Sequence, residues 1–322
     1  MTAPVLSSFY YSALRRTGLT ALARRLRDGA LILCYHNVVP PLPPSSHGAT
    51  PGDPAMHLPA DRLERQLDWL RERYTVVPLL ELTTRIAKAA TVRGLAAITF
   101  DDGYAGAFTY AWPVLRELRL PATVFIVAQA PGHPQGFWWD HPAIAAATTP
   151  QRRERWLTDL RGDASLISGA LGGGGGGGGG DPAPETHLPA TWSVVAAAAA
   201  AGLDVGVHSA THRTLTRLDD AELEQEIKTA AEVIYARTRA EPTTFSYPYG
   251  IWDARVHRAV RAAGYRAAVT LDYGLNAPSA DLWSLRRINV PASISQSAFA
   301  GWAAGVRPSR SPTSSGLPSL AR

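Results

Sequence analysis

Short apolar runs alternate along the chain with stretches whose apolar residues recur every three or four positions. Runs at 31–35, 96–100, 123–127 and 203–207 are too short and too uniformly apolar for amphipathic helices, and read as buried strands, with weaker candidates near 266–271 and 285–290. Helical spacing marks 10–28, 60–74 (Leu63, Leu67, Leu70, Tyr74) and 105–119 (Trp112, Leu115, Leu118 inward). It also marks a polar helix near 150–161, an Ala-rich helix over 190–201 that Gly202 ends, and one near 253–263 that ends at Gly264. Asp219 with Glu222 three residues on forms a capping-box pattern, and opens a helix whose buried face is Leu223, Ile227, Ala231 and Ile234. Residues 40–54 are rich in Pro and Ser and predict a loop, and 131–190 predicts irregular chain. Strand and helix alternate five to seven times, which predicts an α/β fold with a mostly parallel sheet, open or closed into a barrel.

The strand-helix rhythm resumes after the run Gly172 to Gly180, so the segment 165–190 is expected to be a flexible insertion inside one domain spanning 30–305. An amphipathic helix (1–29) precedes this domain, and a Pro/Ser-rich tail (306–322) that reads as disordered follows it. At 322 residues and 46% hydrophobic content, the chain can bury one large core. The net charge of +5 is modest, and much of it lies near the ends, in Arg15, Arg16, Arg24, Arg25 and Arg27 and in Arg307, Arg310 and Arg322. No basic stripe interleaves with aromatics, so nucleic acid is not an expected partner. Cys34 is the sole cysteine, which excludes an intrachain disulfide and is compatible with a reducing compartment. No apolar run is long enough to span a membrane, and no signal-peptide order is visible at the N-terminus; the expected location is the cytoplasm. Leu19, Leu22 and Leu26 share a helical face with arginines around them. Such a helix is expected to pack on the domain, the alternative being peripheral contact with a membrane surface. Nothing in the sequence sets an oligomeric state.

Polar clusters follow three of the expected strands, at His36, Asp101-Asp102 and His208, and a fourth cluster, Tyr247 to Gly250, follows a short extended stretch that also reads as a strand. In a (β/α) barrel that end of the strands carries the chemistry. Two adjacent carboxylates after an apolar strand are costly without partners. They either share one cation, or one ligates while the other stays free as a base. In His208-Ser209-Ala210-Thr211-His212 the i, i+4 spacing puts both imidazoles on one face of a helical turn, within reach of one metal. Two histidines and a carboxylate with an open position suit zinc, and also iron, cobalt, nickel or manganese. Such an ion polarises a carbonyl and acidifies water, a free carboxylate takes the proton, and an amide leaving group needs an acid. His36 is the best-placed acid. His133, His141, His187 and His257 have no companion motif and read as surface residues. The turn Tyr247-Pro248-Tyr249-Gly250 offers a backbone N–H to an oxyanion.

Thr99-Phe100-Asp101-Asp102-Gly103-Tyr104 resembles the first motif of the polysaccharide deacetylases, the NodB-homology domain or carbohydrate esterase family 4. His208 to His212 with Leu215 resembles the second motif, and Phe245 to Gly250 the third, and the resemblance covers roughly 30–290. It implies a distorted (β/α) barrel of about seven strands, with Asp101 as catalytic base. Asp102, His208 and His212 would be the ligands of a divalent metal, zinc foremost, and the Tyr249 N–H would hold the oxyanion. Two departures stand out. Ser246 occupies the position of the usual arginine, and no late Leu-x-His follows His257. Both resemble the branch that includes the poly-N-acetylglucosamine deacetylases, where the acid histidine comes from an N-terminal Tyr-His, matched by Tyr35-His36. Arg287 is then the candidate to contact the base. Tyr247, Pro248, Trp138 and Trp139 are candidate sugar contacts, the two tryptophans being either core or platform. The expected activity is metal-dependent removal of N-acetyl groups from an N-acetylated sugar or polysaccharide, releasing acetate. The alternatives are an O-acetyl esterase on xylan-like polysaccharide and an inactive carbohydrate-binding protein.

Overall fold

The computed structural model describes residues 3–41, 53–171 and 183–306. The expected glycine run, most of the 40–54 loop and the tail from 307 lie outside the described residues. The strands are β1 (Leu31–Tyr35), β2 (Asn37–Val39), β3 (His57–Pro59), β4 (Thr75–Val76), β5 (Leu95–Phe100), β6 (Thr123–Ile126), β7 (Asp204–Val207), β8 (Thr244–Ser246), β9 (Ala267–Val269) and β10 (Ile288–Asn289). Helices α1 (Ala3–Arg16) and α2 (Leu19–Leu26) precede β1; α3 (Ala60–Arg71) and α4 (Leu79–Ala87) lie between β3 and β5. After β5 come α5 (Trp112–Glu117), then α6 (Pro142–Ala147), α7 (Pro150–Thr158), α8 (Ala164–Ala170) and α9 (Trp192–Ala200). After β7 come α10 (Asp220–Glu224), α11 (Ala230–Thr238), α12 (Ala254–Ala262) and α13 (Gln296–Ala303).

The main sheet runs β10-β1-β5-β6-β7-β8-β9, all neighbours parallel, with β4 added beside β5. Segment 282–287 closes the curl. Ala268 N–H donates to the Leu282 carbonyl (2.8 Å), Thr270 N–H to Leu285 (2.8 Å) and Arg287 N–H to Asp272 (3.0 Å), before β10 joins β1. The result is the expected α/β barrel of seven strands, distorted because a single bridge, Val269 to Leu285, stands where the closing strand pair would be.

Strand burial follows from composition. Every residue of β1 and β5 is buried, as parallel strands covered on both faces require. Alternate side chains enter different layers: Leu31, Leu33 and Tyr35 belong to the large core cluster that includes Leu63, Leu67 and Leu70 of α3, while Ile32 belongs to a second cluster with Ala97, Phe125, Val269 and Leu285. Each such buried leucine or isoleucine contributes roughly 1.5–3 kcal/mol. Close approach is strict at Gly206, where a Cβ would sit 2.5 Å from the Phe125 ring.

Several expectations change. The helix read over 10–28 is two helices, broken at Gly18, whose φ of 77° leaves the right-handed helical region. The segment packs on the domain as expected, but not through the expected face: Leu19, Leu22 and Leu26 are exposed, and Tyr11, Leu14 and Thr20 turn inward instead. The span 131–190 is largely helical where described, and Phe137, Trp138, Trp139, Ile144, Trp156, Leu157 and Ile167 form its own small core with Tyr104 and Val127. Asp219 and Glu222 do close a capping box, but a π turn over Gln225–Thr229 follows α10 and advances the buried face to Ala230 in place of Ala231. His187 is buried rather than superficial, its ring 4.0 Å from that of His57.

Candidate active site

His36, Asp101, Asp102, His208, His212 and Tyr249 each follow the C-terminal end of a strand. β5 ends at Phe100, and Asp101 N–H donates to the Tyr35 carbonyl (2.9 Å), continuing the β1 ladder by one residue. The chain then turns sharply through Asp102 (φ 71°) and Gly103 (φ 79°). Asp102, Ser209, His212 and Tyr249 are four of the nine non-glycine residues with positive φ among the described residues. Each costs about 1 kcal/mol or more, and such strain concentrates at functional sites.

Asp102 Oδ1 lies 3.4 Å from His208 Nε2 and 3.4 Å from His212 Nε2, and the two ring nitrogens are 3.1 Å apart. Three ligands of a tetrahedral ion with bonds of about 2.0–2.1 Å stand about 3.4 Å from one another. His208 Nδ1–H donates to the Ser246 carbonyl (2.8 Å), which fixes the tautomer and turns the Nε2 lone pair towards the carboxylate. Asp102 Oδ2 and His212 Nδ1 are buried with no partner among the described residues. The donors therefore fit a divalent cation. The expected helical turn over 208–212 is absent: the segment is a loop, and the left-handed residues Ser209 and His212 bring the rings together. Burial pushes His212 well below the ordinary imidazole value, partly through repulsion from His208, which keeps it in the neutral, ligating form. Burial also disfavours charge on His208, but the carboxylates of Asp101 and Asp102 outweigh it and raise that ring. A cation bound there competes with a proton.

Glu226, on the π turn after α10, supports this loop, and sequence reasoning missed it. Its carboxylate accepts from Ala210 N–H (2.9 Å), Thr211 N–H (2.9 Å), the Thr211 hydroxyl and Arg213 Nε (3.0 Å), and it is 1% exposed. A Glu on a helix carries no local mark of this role.

Asp101 is held differently. Arg287 Nη1 donates to Oδ1 (2.8 Å) and Nη2 to Oδ2 (2.6 Å), a bidentate pair in which both side chains are buried. Ser246 Oγ and Cys34 Sγ also donate to Oδ2, at 3.2 and 3.5 Å. The remaining guanidinium donors reach Thr270 O (2.8 Å), Thr99 Oγ1 (3.1 Å) and Ser246 Oγ (2.9 Å). Burial raises the Asp101 carboxyl, but Arg287 and His208 more than offset it and hold it well below the usual carboxylate range. Asp101 is thus an ionised acceptor beside the ligand cluster, its Oδ2 3.8 Å from His208 Nε2. Cys34 also lies near His36 and Asp101. Burial raises its thiol well above its ordinary value, so it stays a protonated donor.

Asp101, Asp102, His208 and His212 line a cleft of about 400 Å3, counting its open mouth, together with His36, Met56, Trp139, Arg153, Tyr249 and Leu271. Burial holds His36 below the ordinary imidazole value, offset in part by Asp102 and Asp101. Trp139 packs against the His212 ring at 4.7 Å. It is anchored through a chain in which Trp139 Nε1–H donates to Tyr104 Oη (2.7 Å) and Tyr104 to Asp140 Oδ2 (2.5 Å), while His57 Nε2–H donates to Asp140 Oδ1 (3.0 Å). Arg153, which α7 supplies, pairs with Asp53 at 3.2 Å, and its Nε has no partner among the described residues. Neither Arg153 nor Asp140 was marked by the sequence, since their partners lie 100 and 83 residues away. Three candidate sugar contacts do not line the cleft. Tyr247 is fully buried and donates its hydroxyl to the Trp283 carbonyl (2.8 Å), Pro248 is buried beside it, and Trp138 packs on Trp139 and Trp156.

A parallel barrel with two histidines and an aspartate converging at one cleft, and a second aspartate held apart from them, defines a class of hydrolase scaffold. The polysaccharide deacetylase family profile matches residues 88–268, and the chain belongs to that family. The relative YxkH of Bacillus subtilis (strain 168), which carries a polysaccharide deacetylase name, is 20% identical over 258 residues, covering 80% of this chain and 73% of the relative. Two solved structures share the fold. The Streptococcus pyogenes deacetylase PplD, in complex with acetate, has a TM-score of 0.59 at 16% identity, over 87% of this chain and 99% of that one. IcaB from Ammonifex degensii also has a TM-score of 0.59, at 20% identity, over 87% and 98%.

Proposed function

We propose that this chain is a metal-dependent hydrolase that removes the acetyl group from an N-acetylated sugar or polysaccharide of the N-acetylglucosamine type, releasing acetate and a free amine. The observation that carries the reading is the division of labour between adjacent carboxylates: Asp102 faces two imidazoles with an unpartnered oxygen, while Asp101 is committed to Arg287. Asp102, His208 and His212 would hold the ion, zinc before cobalt, nickel, iron or manganese. A divalent ion there supplies Lewis-acid polarisation of the acetyl carbonyl and a more acidic attacking water.

The chain's own groups do the rest. Asp101 takes the proton of the attacking water, and Arg287 keeps it ionised and aimed. The Tyr249 backbone N–H donates to the developing oxyanion. His36 protonates the leaving nitrogen; because burial lowers its pKa, the protonated ring is a stronger acid than free imidazolium. Trp139 offers the sugar an apolar face, and Arg153 offers hydrogen bonds to its hydroxyls. Acetate release distinguishes the substrates: the reading predicts turnover of N-acetylglucosamine oligomers in preference to acetylated xylan. Turnover of acetylated xylan alone would replace it with the esterase reading, and release from neither would favour a binding protein.

A further inference from the structure

Nine large apolar side chains are exposed among the described residues, and five of them lie between positions 9 and 26: Phe9, Tyr10, Leu19, Leu22 and Leu26. The orientation of α2 produces most of this. A surface helix normally turns its leucines inward. Here the inward side is polar. Thr20 is 7% exposed, and Arg24 donates to the Arg73 carbonyl (2.9 Å) with its guanidinium over the Tyr74 ring. Leu19, Leu22 and Leu26, at i, i+3 and i+7, lie on the opposite side and are 49%, 50% and 71% exposed. α1 is fixed in place through Tyr11, which packs against α13 at Gly301. The apolar face is therefore held outward by contacts that do not use it.

Its surroundings are cationic. Arg15, Arg16, Arg25 and Arg27 are exposed around the leucines, and Asp28 is the only acidic residue in 3–28, 3.7 Å from Arg93. A second copy of this chain seated on the face would bring like charges together. A bilayer with anionic headgroups satisfies both features, taking the leucines at the headgroup–acyl boundary and the arginines against phosphates. We propose that the outward face of α1 and α2 is a docking surface for an anionic lipid bilayer. α2 leads into the N-terminal end of β1, whereas the ligand residues follow the C-terminal ends of their strands. Docking therefore leaves the cleft uncovered.

Flotation of the full chain with vesicles tests this, independently of any activity. Wild type should float with vesicles of phosphatidylcholine plus phosphatidylglycerol and not with phosphatidylcholine alone, and added salt should release it. The double variant Leu22→Glu/Leu26→Glu and the triple variant Arg15→Gln/Arg16→Gln/Arg25→Gln should each lower the bound fraction about tenfold or more. All five positions are exposed, so thermal midpoints should not move. Absence of wild-type binding to the anionic vesicles overturns the proposal, as does binding that both variants retain. A wild-type dimer in analytical ultracentrifugation that Leu22→Glu/Leu26→Glu turns into a monomer assigns the face to a second copy instead.

Discussion

Replacing Arg287 by methionine removes a fully buried guanidinium and leaves the Asp101 carboxylate buried without its counter-charge. Five hydrogen bonds go with it: two to Asp101 and one each to Thr99, Ser246 and Thr270. Breaking one side of a buried ion pair costs about 3–5 kcal/mol, because the orphaned charge keeps its desolvation penalty. Domains have only about 5–15 kcal/mol in total, so Arg287→Met should be marginally stable. In Arg287→Met/Asp101→Asn the charge is removed from both sides, and most of the loss should be recovered. Urea unfolding of wild type, both single variants and the double variant closes the cycle, at unchanged m value. The pH dependence gives a second reading. Asp101's carboxyl is depressed in the folded state, so its contribution is present at neutral pH and is lost as pH falls from the ordinary carboxylate range towards the depressed value. Arg287→Met should lack that acid-side loss, because the carboxyl then rises. A single variant that loses under about 1 kcal/mol, or a double variant less stable than Arg287→Met, would refute the claim that this pair holds the base.

Glu226→Gln keeps the shape but replaces an acceptor of four hydrogen bonds around the 208–212 loop, and should weaken zinc affinity by about 10–100-fold, measured by competition with a chelating dye. Gly206→Ala drives a methyl into the Phe125 ring two residues before His208, and should cost about 1–3 kcal/mol in urea unfolding; a loss near zero would mean that β6 and β7 are less tightly opposed than described. Burial, and next to it the neighbouring His57, lower the His187 pKa to about 4. The unfolded chain then binds a proton that the folded chain does not, so stability is full above about 6.5 and declines as pH falls towards 4. His187→Gln should remove about 1–2 kcal/mol of that decline, seen as a smaller drop in thermal midpoint between neutral and acidic buffer.

The parts legible in the sequence are those where local composition decides the outcome. β1 and β5 are buried on both faces, so they appear as continuous apolar runs, and the groups placed just beyond them could be read directly. Arg287 was visible through a gap: Ser246 stands where an arginine is usual, and a guanidinium from the segment just before β10 reaches the same carboxylate. Elsewhere partners distant in sequence decide. The 208–212 spacing suggested a helical turn, yet convergence comes from the left-handed residues Ser209 and His212, and Glu226 holds Ala210 and Thr211 between them from a separate element. The aromatic insertion reads as irregular because its helices are short, and it folds around Trp139 and Trp156 only with Tyr104 from the barrel. Periodicity in α2 located its apolar face but not its direction, which the Arg24 and Thr20 contacts set.

Metal content and acetate release measured on the same preparations of wild type, Asp102→Ala, His212→Ala and Asp101→Asn test the central claim most directly. The account predicts one divalent ion per wild-type chain, loss of both ion and acetate release in Asp102→Ala and His212→Ala, and an ion retained without acetate release in Asp101→Asn. Full metal content in Asp102→Ala and His212→Ala, or undiminished acetate release from Asp101→Asn, would contradict it.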